Sequence, residues 1–530
     1  MSIFSRVRHA HRPNGAHGAP YILLLMVGLA HAAPDPEQLY ATHCLSCHAP
    51  SRLGGMGPAL LPESLERLKK PAAVNAIAEG LPATQMPAFK TLLQADEIQA
   101  LAEWIYTPPK LPPKWDLADI SASRSVNADA VDLPAKPVFT ADPMNITLVV
   151  EHGDHHITVL DGDKMEPITR FATRYALHGG PKFTQEGRFV FWATRDGWIT
   201  KFDLWNLKVV AEIRAGINTR NLAVSSDGKV VMVANYLPHT LVALDSSDLA
   251  PIKVIPVIGN NGKTSRVSAV YDARPRNSFI AALKDIPEVW EIPYDGRPVY
   301  QGLVHDYALK EAIPEPGPLP VRHIVLDDYL DDFFFDQNYD YILGASRSSP
   351  KGQVIHLGVG RKIADLDLAG MPHLGSGITW DWRDAQGNTR RVMASPNLKE
   401  GLISVIDMKT WQTIKTIPTL GPGFFLRGHE NSPYVWADVF SGPNKDVMHV
   451  IDKQKLEIVE TLRPAPGKTS MHVEFDRYGK YALVSIWEMD GALVVYDAKT
   501  LQEIKRLPMK RAVGKYNVWN KTRLSEGTSH

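Results

Sequence analysis

The chain has 530 residues, 44% of them hydrophobic, and its 58 Lys and Arg are balanced by 58 Asp and Glu. That size and apolar content suffice for a large core, and the neutral balance excludes a general electrostatic attraction to nucleic acid. With only 2 cysteines, it is not a disulfide-built scaffold.

The N-terminus carries Arg6, Arg8 and Arg12, then the apolar run Tyr21 to Leu29, then Ala30-His31-Ala32. This order of charged, apolar and small residues reads residues 1–32 as a secretory signal peptide. The apolar run is too short to cross a bilayer, and no later stretch approaches about 18 consecutive apolar residues. The expectation is a periplasmic chain that does not span the membrane.

Next comes Cys44-Leu45-Ser46-Cys47-His48. Two thiols at this spacing add to the vinyl groups of one haem while the adjacent histidine ligates its iron. A thioredoxin-type pair would require a βαβ context, whereas the surroundings read as short helices. Within residues 35–106 the apolar spacing predicts helices at Pro36 to His43, Pro62 to Glu79 and Ala95 to Tyr106. Together they describe a small all-α cytochrome c domain. Gln85-Met86-Pro87 presents a thioether 38 residues after His48, and Met86 as second axial ligand raises the iron potential. Met56 and His43 compete for that position.

Residues 107–139, with Pro108, Pro109, Pro112 and Pro113, read as a semi-rigid linker. A β pattern then recurs eight times: His155 to Asp161, Gly197 to Asp203, His239 to Asp245, Val289 to Asp295, Gln353 to Val359, Leu402 to Asp407, Val447 to Asp452 and Ala492 to Asp497. The spacing of about 42 to 64 residues suits four-stranded propeller blades with insertions. A β-sandwich would not require eight copies in register. Residues 140–530 are thus expected to form an all-β eight-bladed propeller, closed by Lys515-Tyr516-Asn517-Val518-Trp519 pairing with the first blade.

Propeller sites form where loops of several blades converge. Arg170, Arg174, Arg195 and Arg220 gather on the first blades near His178, and guanidinium groups pair bidentately with carboxylates. A histidine among such arginines has the look of a haem ligand flanked by propionate clamps. His323, His373, Arg427, His429 and His472 are further loop candidates.

The stretches Thr173-Arg174-Tyr175-Ala176-Leu177-His178, Gly187-Arg188-Phe189, Arg195-Asp196-Gly197, Met371-Pro372-His373 and Gly514-Lys515-Tyr516-Asn517-Val518 resemble the cytochrome cd1 nitrite reductase family. The resemblance covers essentially the whole mature chain. It implies haem d1 bound in the propeller, with His178 as proximal iron ligand and His373 as one of two distal histidines. The other distal histidine is replaced, with Asp331 in its place, which puts nitrite reduction in doubt. The dihydro-haem d1 dehydrogenase branch of the family better accommodates this change.

That branch converts a propionate of dihydro-haem d1 to the acrylate of haem d1 and passes electrons to the c haem. The resemblance then implies His373 as the base, with Arg174, Arg195 and Arg220 orienting carboxylates. Its implied partners are dihydro-haem d1, a small periplasmic c-type cytochrome as electron acceptor, and nitrite reductase as recipient of haem d1. An NO-forming nitrite reductase and a non-catalytic haem d1 carrier are the alternatives.

Overall fold

The computed structural model describes residues 34–523 apart from 82–83, 131, 302–312, 346–350 and 369. The signal peptide expected at residues 1–32 lies outside the described residues.

The first helix, Pro36–His43, is capped by Asp35, whose carboxylate accepts from the Glu37 and Gln38 N–H groups, and Pro36 occupies its first turn. Helices Lys70–Glu79 and Ala95–Trp104 follow. All three bury one stripe on a shared core of Tyr40, Ile77, Phe89, Ile98 and Leu101. The middle helix begins later than the sequence pattern predicts. Pro71 has no N–H to donate to the Arg67 carbonyl and its ring clashes there, so a helix cannot run in from Pro62. Residues 62–68 form turns instead.

The rest of the chain forms eight antiparallel sheets, the blades of the expected propeller. From the channel outward, all eight recurrent segments are third strands, such as Trp198–Asp203 in blade 2 and Leu402–Asp407 in blade 6. The recurring aspartate has a physical reason. Asp161, Asp203, Asp407, Asp452 and Asp497 each accept two backbone N–H groups of the turn leading to the fourth strand. The carboxylate thereby completes an Asx turn that would otherwise leave donors unpaired. In blade 5 His356 substitutes, its Nδ1 accepting the Val359 N–H at 3.3 Å.

The ring closes as the sequence suggests. Ala512–Asn517 is the innermost strand of blade 1, with Asn517, Tyr516 and Lys515 opposite Thr147, Leu148 and Val149. Pairing the chain's two ends leaves no open edge there.

Between the two domains, residues 107–139 follow blade 2. Helix Leu117–Ala122 buries Ile120 in the core between blades 2 and 3, and Ser125–Val126 adds a fifth strand beside Lys208–Arg214. The cytochrome domain sits directly on the propeller. Arg214, buried in blade 2, donates to the carbonyls of Asp196, Gly54 and Leu53 at 2.9, 2.9 and 2.6 Å and stacks on Trp115. Ala59 and Leu61 pack with Ile217 in a small core shared by both domains. A fully buried leucine such as Leu61 stabilises this seam by about 1.5–3 kcal/mol.

Candidate functional site

The attachment motif forms a turn of helix, Leu45–His48, after Cys44. His48 is buried, and its Nδ1 donates to the Pro58 carbonyl at 2.7 Å. That bond sets the tautomer and leaves the lone pair on Nε2 for a metal. A Cβ on Gly57 would lie 2.8 Å from the His48 ring, so only glycine allows this close cradle. Burial also pushes the imidazole pKa down, which keeps it a neutral ligand. Met86 packs on the same core as Cys44, while Met56 is exposed and the His43 ring stands edge-on to Phe89. The donor set fits a c-type haem.

The propeller site is assembled from innermost strands. His178 lies on Leu177–Phe183 of blade 2, opposite Ala193, and its side chain lies outside the described residues. Lys182, on the same strand, stands 5.6 Å from the Tyr271 ring of blade 4. Arg220 of blade 3 is 3.9 Å from Asp332 of blade 5, which also accepts the Tyr271 hydroxyl at 3.1 Å. Farther round, Glu474 of blade 8 receives Arg427 at 3.7 Å and Lys521 at 3.5 Å.

Among the described residues, five cations therefore face two carboxylates: Lys182, Arg195, Arg220, Arg427 and Lys521 against Asp332 and Glu474. Mutual repulsion shows in their titration. Burial, with Arg427 and Arg220 nearby, pushes Lys182 down to about 8 despite Asp332. Burial and Arg427 push Lys521 down to about 7. Such an excess in a low-dielectric channel suits an anion with several carboxylates. The channel also has a flat wall. Tyr516 lies between Gly180 and Gly514, where a Cβ would come within 2.7 Å of the ring or overlap its hydroxyl.

Across the channel from this wall, His373 precedes the short 3-10 turn Leu374–Ser376. Its Nδ1 donates to the Phe424 carbonyl at 2.7 Å and its ring rests on Phe424, so the lone pair is on Nε2. Buried Asp438 organises this region, accepting the N–H groups of Phe424, Phe425 and His472 at 2.7, 2.9 and 3.1 Å. The His472 ring packs between Phe425 and Tyr516.

The sequence candidates thus divide. Arg195 and Arg220 converge on the ring of Tyr236. Arg174 instead holds Glu212 through Nε and Nη2 at 2.9 and 2.8 Å and lies over Trp198. Arg170 is bound by Glu151 and Asp154 on the outer strand of blade 1. His323 is on the outermost strand of blade 4, bonded to Glu288 and stacked on Trp290. His429 packs on Phe475 against the turn at Gly479. Asp331 pairs with Lys284 at 3.0 Å, and it is the next residue, Asp332, that faces Arg220. Sequence reasoning missed Lys182, Asp332, Asp438 and Tyr516 as site residues. Their only common signal is a place on or beside an inner strand, which is invisible until blades are aligned.

A helical domain with a haem-attachment motif, seated on an eight-bladed propeller with a cation-rich channel, defines a two-domain cytochrome built to serve a polyanionic ligand. The chain belongs to the cytochrome D1 heme domain family, which matches residues 141–521. Residues 31–105 match the family of cytochrome C oxidase, cbb3-type, subunit III. The chain is 53% identical to a dihydro-heme d1 dehydrogenase of Pseudomonas aeruginosa, over 96% of this chain and 98% of that protein. It is 25% identical to a nitrite reductase of Stutzerimonas stutzeri, over 94% of this chain and 96% of that one. A solved structure of the dihydro-heme d1 dehydrogenase NirN in complex with DHE superposes with a TM-score of 0.86 at 52% identity, covering 92% of this chain and 100% of that one.

Proposed function

We propose that the chain is a periplasmic dihydro-haem d1 dehydrogenase. The observation that carries this is the 53% identity to such an enzyme through both domains. The cation excess of the channel supports it independently.

In the reaction, two C–H bonds of a substrate propionate break and a C=C bond forms, giving the acrylate, two protons and two electrons. A c haem held by Cys44 and Cys47, with His48 and Met86 on its iron, supplies a one-electron acceptor used twice and emptied by a small periplasmic c-type cytochrome. Arg195 and Arg220 hold and orient the carboxylates, and His178 binds the substrate iron. Arg174, already committed to Glu212, steadies blade 2 beside them. His373 presents an Nε2 lone pair fixed by the Phe424 carbonyl and takes a proton from the propionate. The same lone pair is what an iron would take. Electron paramagnetic resonance of the loaded protein separates the roles, because a base leaves the iron's distal position free of imidazole.

The decisive experiment mixes dihydro-haem d1 with protein whose c haem is oxidised. Loss of two hydrogens from the tetrapyrrole, by mass spectrometry, together with c-haem reduction, is the expected result. An unchanged pigment bound tightly would mean a haem d1 carrier instead. Sustained nitrite reduction by the haem d1-loaded protein would mean a reductase.

A further inference from the structure

The turn at residues 62–68 belongs to the cytochrome domain, yet it reaches the rim of the propeller channel. Glu66 lies 3.7 Å from Arg266 of blade 4. Arg266 lies over the ring of Tyr236 at 5.6 Å, and Arg195 approaches the same ring at 6.0 Å. One aromatic ring therefore joins the cytochrome turn to the carboxylate-binding arginines. The neighbouring Arg67 is felt there: Arg195 is pushed down to about 9 by burial first, then by the guanidinium groups of Arg220 and Arg67.

This placement is held firmly. Arg214 bonds the Leu53 and Gly54 carbonyls, and Leu61, immediately before the turn, is fully buried in the core shared with Ile217. Pro71 stops the next helix from absorbing the turn. Like charges gathered at one rim repel unless an anion lies between them.

We infer that Arg67 is a third cation of the carboxylate clamp, so that the cytochrome domain forms part of the tetrapyrrole-binding site as well as receiving its electrons. The inference rests on the proposed reading that the channel binds a haem d1-type tetrapyrrole. Arg67 is exposed, so its contribution is electrostatic and salt-sensitive. It also implies a coupling: whatever loosens the seam at Arg214 withdraws Arg67 from the ligand.

The test is an equilibrium absorbance titration of haem d1 into c-haem-loaded protein at low and high salt. Arg67→Ala is expected to weaken binding about threefold and Arg67→Glu about tenfold at low salt, with both effects shrinking at high salt. In an Arg214→Ala background, Arg67→Ala is expected to cost less than about 1.5-fold, since the two residues act through one seat. Wild-type affinity in Arg67→Glu overturns the inference, and that variant, altered only at an exposed side chain, does not depend on Arg214→Ala folding. Full additivity of the two substitutions overturns the coupling. If the wild-type protein binds no haem d1, the proposed function fails instead.

Discussion

The two sites are built in opposite ways. In the cytochrome domain, Cys44, Cys47 and His48 lie within five consecutive residues, and one carbonyl, that of Pro58, sets the ligand's tautomer. In the propeller, Lys182, Arg220, Asp332 and Arg427 come from four different blades and meet only because the ring closes at Ala512–Asn517. A contiguous motif carries its chemistry wherever it folds, whereas a distributed one depends on the whole scaffold. The cytochrome site should therefore fail by residue, and the propeller site by geometry.

The sharpest way to break this contrast is to remove the contiguous motif. Cys44→Ser with Cys47→Ser is expected to abolish covalent haem, seen as loss of haem staining on a denaturing gel, while haem d1 titration still gives near wild-type binding. Loss of both would mean that the domains fold as one unit. The next largest effect is expected at Arg220, which is mostly buried and stands beside Asp332. Removing a buried charged partner of a carboxylate costs about 1.5–3 kcal/mol, or roughly a 10- to 100-fold loss of haem d1 affinity in Arg220→Ala.

The same contrast explains what the sequence disclosed. The haem motif, the eight repeats and the closing strand are local patterns, and each has a local cause: thiol spacing, Asx turns and strand alternation. The site between blades has no such cause. Asp331 and Asp332 are adjacent and alike in composition, yet one meets Lys284 and the other Arg220, a difference set by which face of the strand entrance each occupies. Arg174 and Arg195 likewise look equivalent in sequence. Only the strand partner Glu212 takes the first away from the channel. Even the misplaced helix start at Pro62 reflects a single residue, Pro71, overriding a periodic pattern.

Acid separates the scaffold from the motif less drastically. His449 is buried in blade 7, its Nε2 accepting the Leu420 N–H at 3.1 Å and its Nδ1 facing Thr461. Burial pushes its pKa down to about 4 from 6.5. A depressed histidine is neutral in the fold and takes up a proton on unfolding. Its contribution to stability is thus complete above about pH 6.5 and is lost as pH falls towards 4, amounting to about 2 kcal/mol. Chemical denaturation at pH 7 and pH 4.5 is expected to show this loss, and His449→Gln to flatten it. The strand before the Phe424–Phe425 segment is tied here, so tetrapyrrole binding should weaken in acid along with blade 7.

The smallest effect is the most discriminating for the distributed site. Arg174 engages Glu212 bidentately and lies 3.6 Å over Trp198, with about a third of its side chain exposed. An ion pair at that exposure, with its stacked ring, is worth about 1 kcal/mol. Arg174→Ala is therefore expected to lower unfolding stability by about that much and to leave haem d1 affinity within about twofold, because neither edge of the guanidinium used by Glu212 is available to a carboxylate. A tenfold loss of affinity would show instead that Arg174 leaves Glu212 when the ligand arrives. Glu212→Gln tells the two apart: it releases Arg174, so it should tighten haem d1 binding if the arginine is held in reserve and leave it unchanged if the arginine only braces blade 2.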